Sequence, residues 1–131
     1  AVNALSNPFF MADKVTTNLK YCIGAFKGLI LDRTKPTIMV DIGHFEDFAF
    51  TCDYFIEDGV VVRFNKYGID TKYFELQGGI CGDLGGMAER QKEMAENAEY
   101  MVDRYGDMVK LKMKKWGHDL SLRYNYKNHV E

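Results

Sequence analysis

Residues that could carry chemistry concentrate in three places along this chain, and the first is the segment from Asp41 to Asp47. Its sequence, Asp-Ile-Gly-His-Phe-Glu-Asp, contains carboxylates and an imidazole, which are groups that bind metal ions or transfer protons. The spacing of Asp41, His44 and Glu46 matches no zinc or calcium loop. The same composition is typical of a polar β-turn. We therefore expect neither a metal nor another cofactor at this segment.

The second place is a glycine-rich run, residues 78–86, which precedes a predicted helix. Backbone N–H groups at the start of a helix can bind an anion, and a thiol placed there can have a lowered pKa. The candidate ligand loop consists of Gly79, Cys81, Gly82 and Asp83. No Lys followed by Ser or Thr completes a phosphate-binding loop, and the Asp83 carboxylate would repel a phosphate. A flexible connection is the alternative interpretation.

The third place is the C-terminal part of the chain, which is basic although the whole chain has a net charge of −2. Residues 107–131 contain six basic and three acidic side chains, for a net charge of +3. The candidate partner-binding residues are Lys110, Lys112, Lys114, Arg123 and Lys127. An acidic protein is the preferred partner. Nucleic acid is the alternative, because Trp116 and two tyrosines lie nearby. An exposed edge hairpin, whose lysines prevent unwanted strand pairing, is the interpretation without a partner.

No pattern in the sequence indicates an enzyme, since there is no catalytic triad, no HExxH helix and no nucleotide loop. A nucleophile pair between Cys81 and either His44 or His118 would require a contact between distant parts of the chain. The three cysteines, which include Cys22 and Cys52, form no CxxC pair, and we expect free thiols in a reducing cytoplasm. No apolar run has the length needed to span a membrane, so we expect no membrane partner.

The first predicted elements are a helix and a buried strand. Asn7 can cap the helix and Pro8 suits its first turn. Apolar residues between Ala12 and Leu29 then recur at spacings of three and four, which gives the helix one apolar face. The segment 37–42 is apolar and β-branched, which predicts a buried strand.

A hairpin of residues 48–56 and 60–67 is predicted next, with Gly59 at positive φ in its loop. Its register would place Asp53 opposite Arg63. A fourth strand is expected near residues 70–76, and a second helix over about 87–105. The methionines of this helix follow a seven-residue spacing and could form core or a dimer seam. Gly106 should end the helix.

The final predicted element is a second hairpin, because apolar and basic residues alternate after Gly106. A turn at Gly117-His118 would pair Met113 with Leu122 and Lys112 with Arg123. The lysines would then share one face.

Together these elements predict a single α+β domain, residues 1–131, of order α-β-β-β-β-α-β-β, with two helices packed on one face of an antiparallel sheet. The element order resembles that of small acidic secretion chaperones, which also place a helix, a meander, a helix and a hairpin in sequence. We expect a non-enzymatic protein-binding module: a small cytoplasmic inhibitor, immunity-type protein, adaptor or chaperone that acts through charge complementarity. A nucleic-acid-binding accessory protein is the alternative, and a homodimer is compatible with either.

Overall fold

Two helices and five strands make up the regular structure of residues 1–70 and 87–127, the part of the chain that the computed structural model describes. In chain order the elements are β1 (Val2–Asn3), a 3₁₀ turn (Pro8–Phe10), β2 (Val15–Thr16), α1 (Glu46–Asp58), β3 (Arg63–Gly68), α2 (Met87–Tyr105), a 3₁₀ turn (Gly106–Met108), β4 (Val109–Lys114) and β5 (Gly117–Leu122). The predicted α+β class is confirmed. Among these residues, no helix has both the length and the apolar character needed to cross a bilayer.

The strands form two small sheets. In the first, β3 is central, with β1 parallel on one side and β2 antiparallel on the other. The second is the antiparallel hairpin of β4 and β5. Antiparallel pairing therefore dominates, as the sequence predicts, although β1 contributes a parallel pair.

The hydrophobic core lies between the two helices and the base of the β4–β5 hairpin. Cys52 of α1 and Met101 of α2 are completely buried, and Val109 and Leu120 join the hairpin to them. Met101 therefore packs in the core and does not lie in an exposed seam. Beyond Val109, every residue of β4 is exposed, whereas β5 is half-buried against α2 as far as the turn, where the Gln91 Nε2 donates to the Trp116 carbonyl at 3.4 Å.

The predicted first helix is wrong beyond its first turn. Asn7 does cap a turn, since its Oδ1 accepts a hydrogen bond from the Phe9 N–H at 3.0 Å, but that turn ends at Phe10. The β-branched pair Val15–Thr16 instead joins β3 as a strand, and Gly24 and Gly28 disfavour a helix further on.

The predicted hairpin of residues 48–56 and 60–67 is also wrong, because residues 48–56 lie in α1. Ala49, Cys52 and Phe55 are buried at helical spacing, and Glu46 and Asp47 favour the helix N-terminus electrostatically. Gly59 does have positive φ, +74°, but as the residue that ends α1. Residues 63–68 form a strand as predicted, paired with β1 and β2.

Three smaller predictions have mixed outcomes. Residues 37–42 form no strand, although Val40 and Ile42 pack against the core. The strand expected near 70–76 lies almost entirely outside the described residues. The predicted end of the second helix is confirmed: α2 stops at Tyr105, and Gly106 has φ +49°.

The C-terminal hairpin is confirmed, with a different register. Its turn consists of Lys115 and Trp116, so that Met113 lies opposite His118 instead of Leu122. The partner of each residue is displaced by four positions. Because this displacement is even, each side chain stays on its predicted face.

Candidate functional site

Three lysines of β4, Lys110, Lys112 and Lys114, form what we call the basic stripe. Side chains alternate along a strand, so these three share one face at intervals of about 7 Å. All three are exposed. Opposite them on β5 lie Ser121, Asp119 and Gly117.

The basic stripe has little negative charge of its own to balance it. Asp119 is its one acidic cross-strand neighbour, and the Asp119 Oδ1 accepts a hydrogen bond from the Leu120 N–H at 2.8 Å. Within residues 1–70 and 87–127, no carboxylate comes within ion-pair distance of the three lysines. The stripe is therefore a concentrated positive surface.

Arg123 and Lys127, the other predicted partner-binding residues, lie beyond the end of β5. Arg123 was expected opposite Lys112, but its N–H donates to the Met108 carbonyl at 2.9 Å, so the register change moves it to the base of the hairpin. Its Nη1 lies 3.7 Å from the Asp107 Oδ1, and both side chains are exposed. Lys127 is exposed as well. Arg123 thus lies within ion-pair distance of a carboxylate, whereas no described carboxylate lies that close to the lysines of the basic stripe.

The tip of the hairpin adds exposed apolar surface to this charge. Trp116 is 58% exposed and Met113 65% exposed. The Lys114 Nζ lies 5.6 Å from the centre of the Trp116 ring, within the range of a cation–π interaction. Tyr124, which the sequence assigned to the apolar face, is 67% exposed. Trp116 thus places an aromatic ring beside the basic stripe, whereas Tyr124, next to Arg123, lies at the base of the hairpin.

The outer edge of β4 offers backbone groups for pairing. In an antiparallel pair, every second pair of opposite residues exchanges backbone hydrogen bonds. Because the Arg123 N–H donates to the Met108 carbonyl, the residues of β4 that exchange hydrogen bonds with β5 are 110, 112 and 114. Leu111 and Met113 consequently direct their N–H and C=O groups away from β5. Among the described residues β4 has no second neighbouring strand. Such an edge can accept an added strand.

The acidic segment at residues 41–47 does not assemble into a metal site. The Asp47 Oδ1 lies 3.4 Å from the Lys27 Nζ, whereas the His44 Nδ1 lies 3.5 Å from the Glu93 Oε2 of α2. In the part of the chain that the structure describes, no three His, Cys, Asp or Glu side chains are grouped as metal ligands would be. His44 and Asp47 thus contact different residues, and the side chains of Asp41 and Glu46 are exposed.

The candidate ligand loop of Gly79, Cys81, Gly82 and Asp83 lies outside the described residues, and so does any pair that involves Cys81. The other two thiols are free. Burial, together with the negative charge of Asp53, raises the pKa of Cys52 to about 12, and burial also raises the pKa of Cys22. Neither environment is that of an activated nucleophile.

Sequence reasoning missed a cationic cleft to which Lys20 and Arg63 contribute. The sequence placed Arg63 opposite Asp53 in a hairpin, whereas the Asp53 carboxylate contacts Arg104 at 3.3 Å. No local signal could have found the cleft, because its two cations come from distant segments whose contact depends on the β2–β3 pairing.

In comparisons with known proteins, no protein-family model, no curated protein and no solved structure matches this chain.

Proposed function

We propose that this chain is a non-enzymatic protein-binding module that binds an acidic partner through the basic stripe. The observation that carries the proposal is the set of three exposed lysines on one face of β4. Two like charges about 7 Å apart repel by about 0.6 kcal/mol in water, before screening by salt. An acidic partner would replace this repulsion with attraction.

The geometry of β4 favours a partner that presents an extended acidic segment. Acidic side chains at alternate positions of an added strand would recur at the same interval as Lys110, Lys112 and Lys114. The outward N–H and C=O groups of Leu111 and Met113 would supply main-chain hydrogen bonds. A second copy of β4 fits this edge poorly, because lysines would then lie beside lysines. A homodimer would therefore need another surface.

An inhibitor, an immunity-type protein, an adaptor or a chaperone would each use such a surface. A cytoplasmic location belongs to the same proposal, and the free thiols of Cys22 and Cys52 are consistent with it.

A nucleic-acid-binding accessory protein is the second candidate function. The exposed ring of Trp116 favours it, because bases can stack on an aromatic side chain beside a cationic surface. The same lysines would then contact phosphates.

A pull-down from native lysate, with and without nuclease, separates these proposals. The test variant is Lys112→Glu with Lys114→Glu. The control variant is Lys66→Glu with Lys92→Glu. These two lysines are exposed and lie elsewhere on the molecule, and the substitutions change the net charge by the same amount. We expect the test variant to lose a protein that the parent and the control variant retain after nuclease treatment. Loss of the captured material on nuclease treatment would favour nucleic acid. Equal capture by both variants would show that the basic stripe only protects a sheet edge.

A further inference from the structure

An open cleft of about 460 Å³ lies between the segment 19–21, α1, β3 and the end of β5. Its floor is apolar, since Leu19 and Leu120 are almost fully buried. One wall consists of the stacked rings of Tyr21 and Phe48, whose centroids are 4.4 Å apart. A cavity of this size can hold a small organic molecule.

The cationic group that is most firmly positioned in the cleft is the Arg63 guanidinium. Its Nε donates to the Asn65 Oδ1 at 2.8 Å, and its Nη1 donates to the Tyr21 carbonyl at 3.2 Å. Asn65 is itself buried, and its amide donates to the Lys14 carbonyl and the Thr16 Oγ1, both at 3.0 Å. The guanidinium is therefore held in place before any ligand arrives. No described residue accepts a hydrogen bond from its Nη2.

Lys20 brings a second positive charge to the same cleft. Within residues 1–70 and 87–127, neither Lys20 nor Arg63 forms an ion pair with a carboxylate. Asp47 contacts the Tyr21 hydroxyl at 3.1 Å but is paired with Lys27. Burial, then repulsion from Arg63 and Lys14, lowers the pKa of Lys20, and burial lowers that of Arg63. The repulsion from Arg63 indicates that the two cations lie close together.

We propose that this cleft binds a small organic anion, with its carboxylate or phosphate group on Lys20 and Arg63 and its flat apolar body against Tyr21 and Phe48. Guanidinium and ammonium groups bind both kinds of head group through charge-assisted hydrogen bonds. The apolar floor favours a body that is unsubstituted by polar groups. None of the three lysines of the basic stripe lines this cleft, and the site does not depend on the protein-binding proposal.

The probes that test the cleft are phenylacetate, benzyl phosphate and the neutral phenylacetamide, each titrated to millimolar concentration against the uniformly ¹⁵N-labelled full chain. We expect the anions to shift the backbone amide signals of residues 19–21 and 120–122. Phenylacetamide should bind about fivefold more weakly than phenylacetate, because it lacks the charge. The two anionic probes together identify the preferred head group.

Matched variants assign the effect to the cleft. Lys20→Gln should weaken phenylacetate binding by about threefold to fivefold and leave phenylacetamide unchanged. The control is Lys66→Gln, which removes an exposed lysine that does not line the cleft, and it should bind both probes like the parent. Equal binding of the anion and the amide would overturn the proposal. So would signals that move only elsewhere, unchanged binding by the folded Lys20→Gln variant, or no shift with any probe.

Discussion

Replacing Gly59 by valine should lower the free energy of unfolding by about 1–2 kcal/mol. Gly59 ends α1 with φ +74°, and its N–H donates to the Phe55 carbonyl at 2.9 Å. A branched side chain resists this left-handed conformation. Apart from Gly59 itself and its two chain neighbours, no heavy atom lies within 4 Å of a Cβ built at Gly59, so the cost comes from backbone strain and not from a clash with another part of the fold.

Two further substitutions isolate that strain. Gly28 also has no heavy atom within 4 Å of a built Cβ, but its φ is not left-handed, so Gly28→Val should stay within about 0.5 kcal/mol of the parent. Gly59→Asn should cost less than Gly59→Val, because asparagine adopts the left-handed conformation more readily. Urea denaturation followed by circular dichroism measures all three. Equal losses at Gly28 and Gly59, or a Gly59→Val variant as stable as the parent, would refute the reasoning.

Two more predictions concern buried groups. Asn65→Ala should destabilise the fold by about 1–3 kcal/mol in the same denaturation assay, because it leaves buried hydrogen-bond partners unsatisfied; an unchanged midpoint would contradict this. For Cys52, the thiol has its ordinary pKa of 9.0 in the unfolded chain and a pKa of about 12 in the folded chain. Between these two pH values the unfolded thiol ionises while the folded thiol stays protonated, so the free energy of unfolding falls as pH rises through that interval. The loss should reach about 2–3 kcal/mol by pH 11, and Cys52→Ala should flatten the dependence of stability on pH.

The C-terminal half of the fold could be predicted because its local signals agree with one another. The glycine at position 106 stops a helix whose apolar face has a clear period, and strict alternation follows. The face predicted for the basic stripe is correct although the register is not, because the displacement in register is even. The predicted position of Arg123 opposite Lys112 is wrong, because that position depends on where the turn lies.

The N-terminal half could not be predicted because its apolar residues fit two periods at once. Between Phe48 and Ile56 almost every residue is apolar or aromatic, so alternation and helical spacing both find matches. Tertiary packing decides between them, because Ala49, Cys52 and Phe55 join one core cluster with residues from α2, the β4–β5 hairpin and the segment near Leu19. The cleft at Lys20 and Arg63 depends on that same tertiary packing, which no local pattern encodes.

The central claim, that the basic stripe binds an acidic extended segment, is tested most directly through the fluorescence of Trp116. This is the one tryptophan of the chain, and its ring lies 5.6 Å from the Lys114 Nζ. The titrant is a peptide with glutamate at alternate positions, compared with the same peptide carrying glutamine. We expect saturable binding of the glutamate peptide, which weakens as added salt screens the charges.

Reversal of Lys112 and Lys114 to glutamate should weaken that binding by about tenfold or more, whereas reversal of Lys66 and Lys92 should leave it within about twofold of the parent. Equal affinities for the two charge-reversal variants, or for the glutamate and glutamine peptides, would contradict the claim.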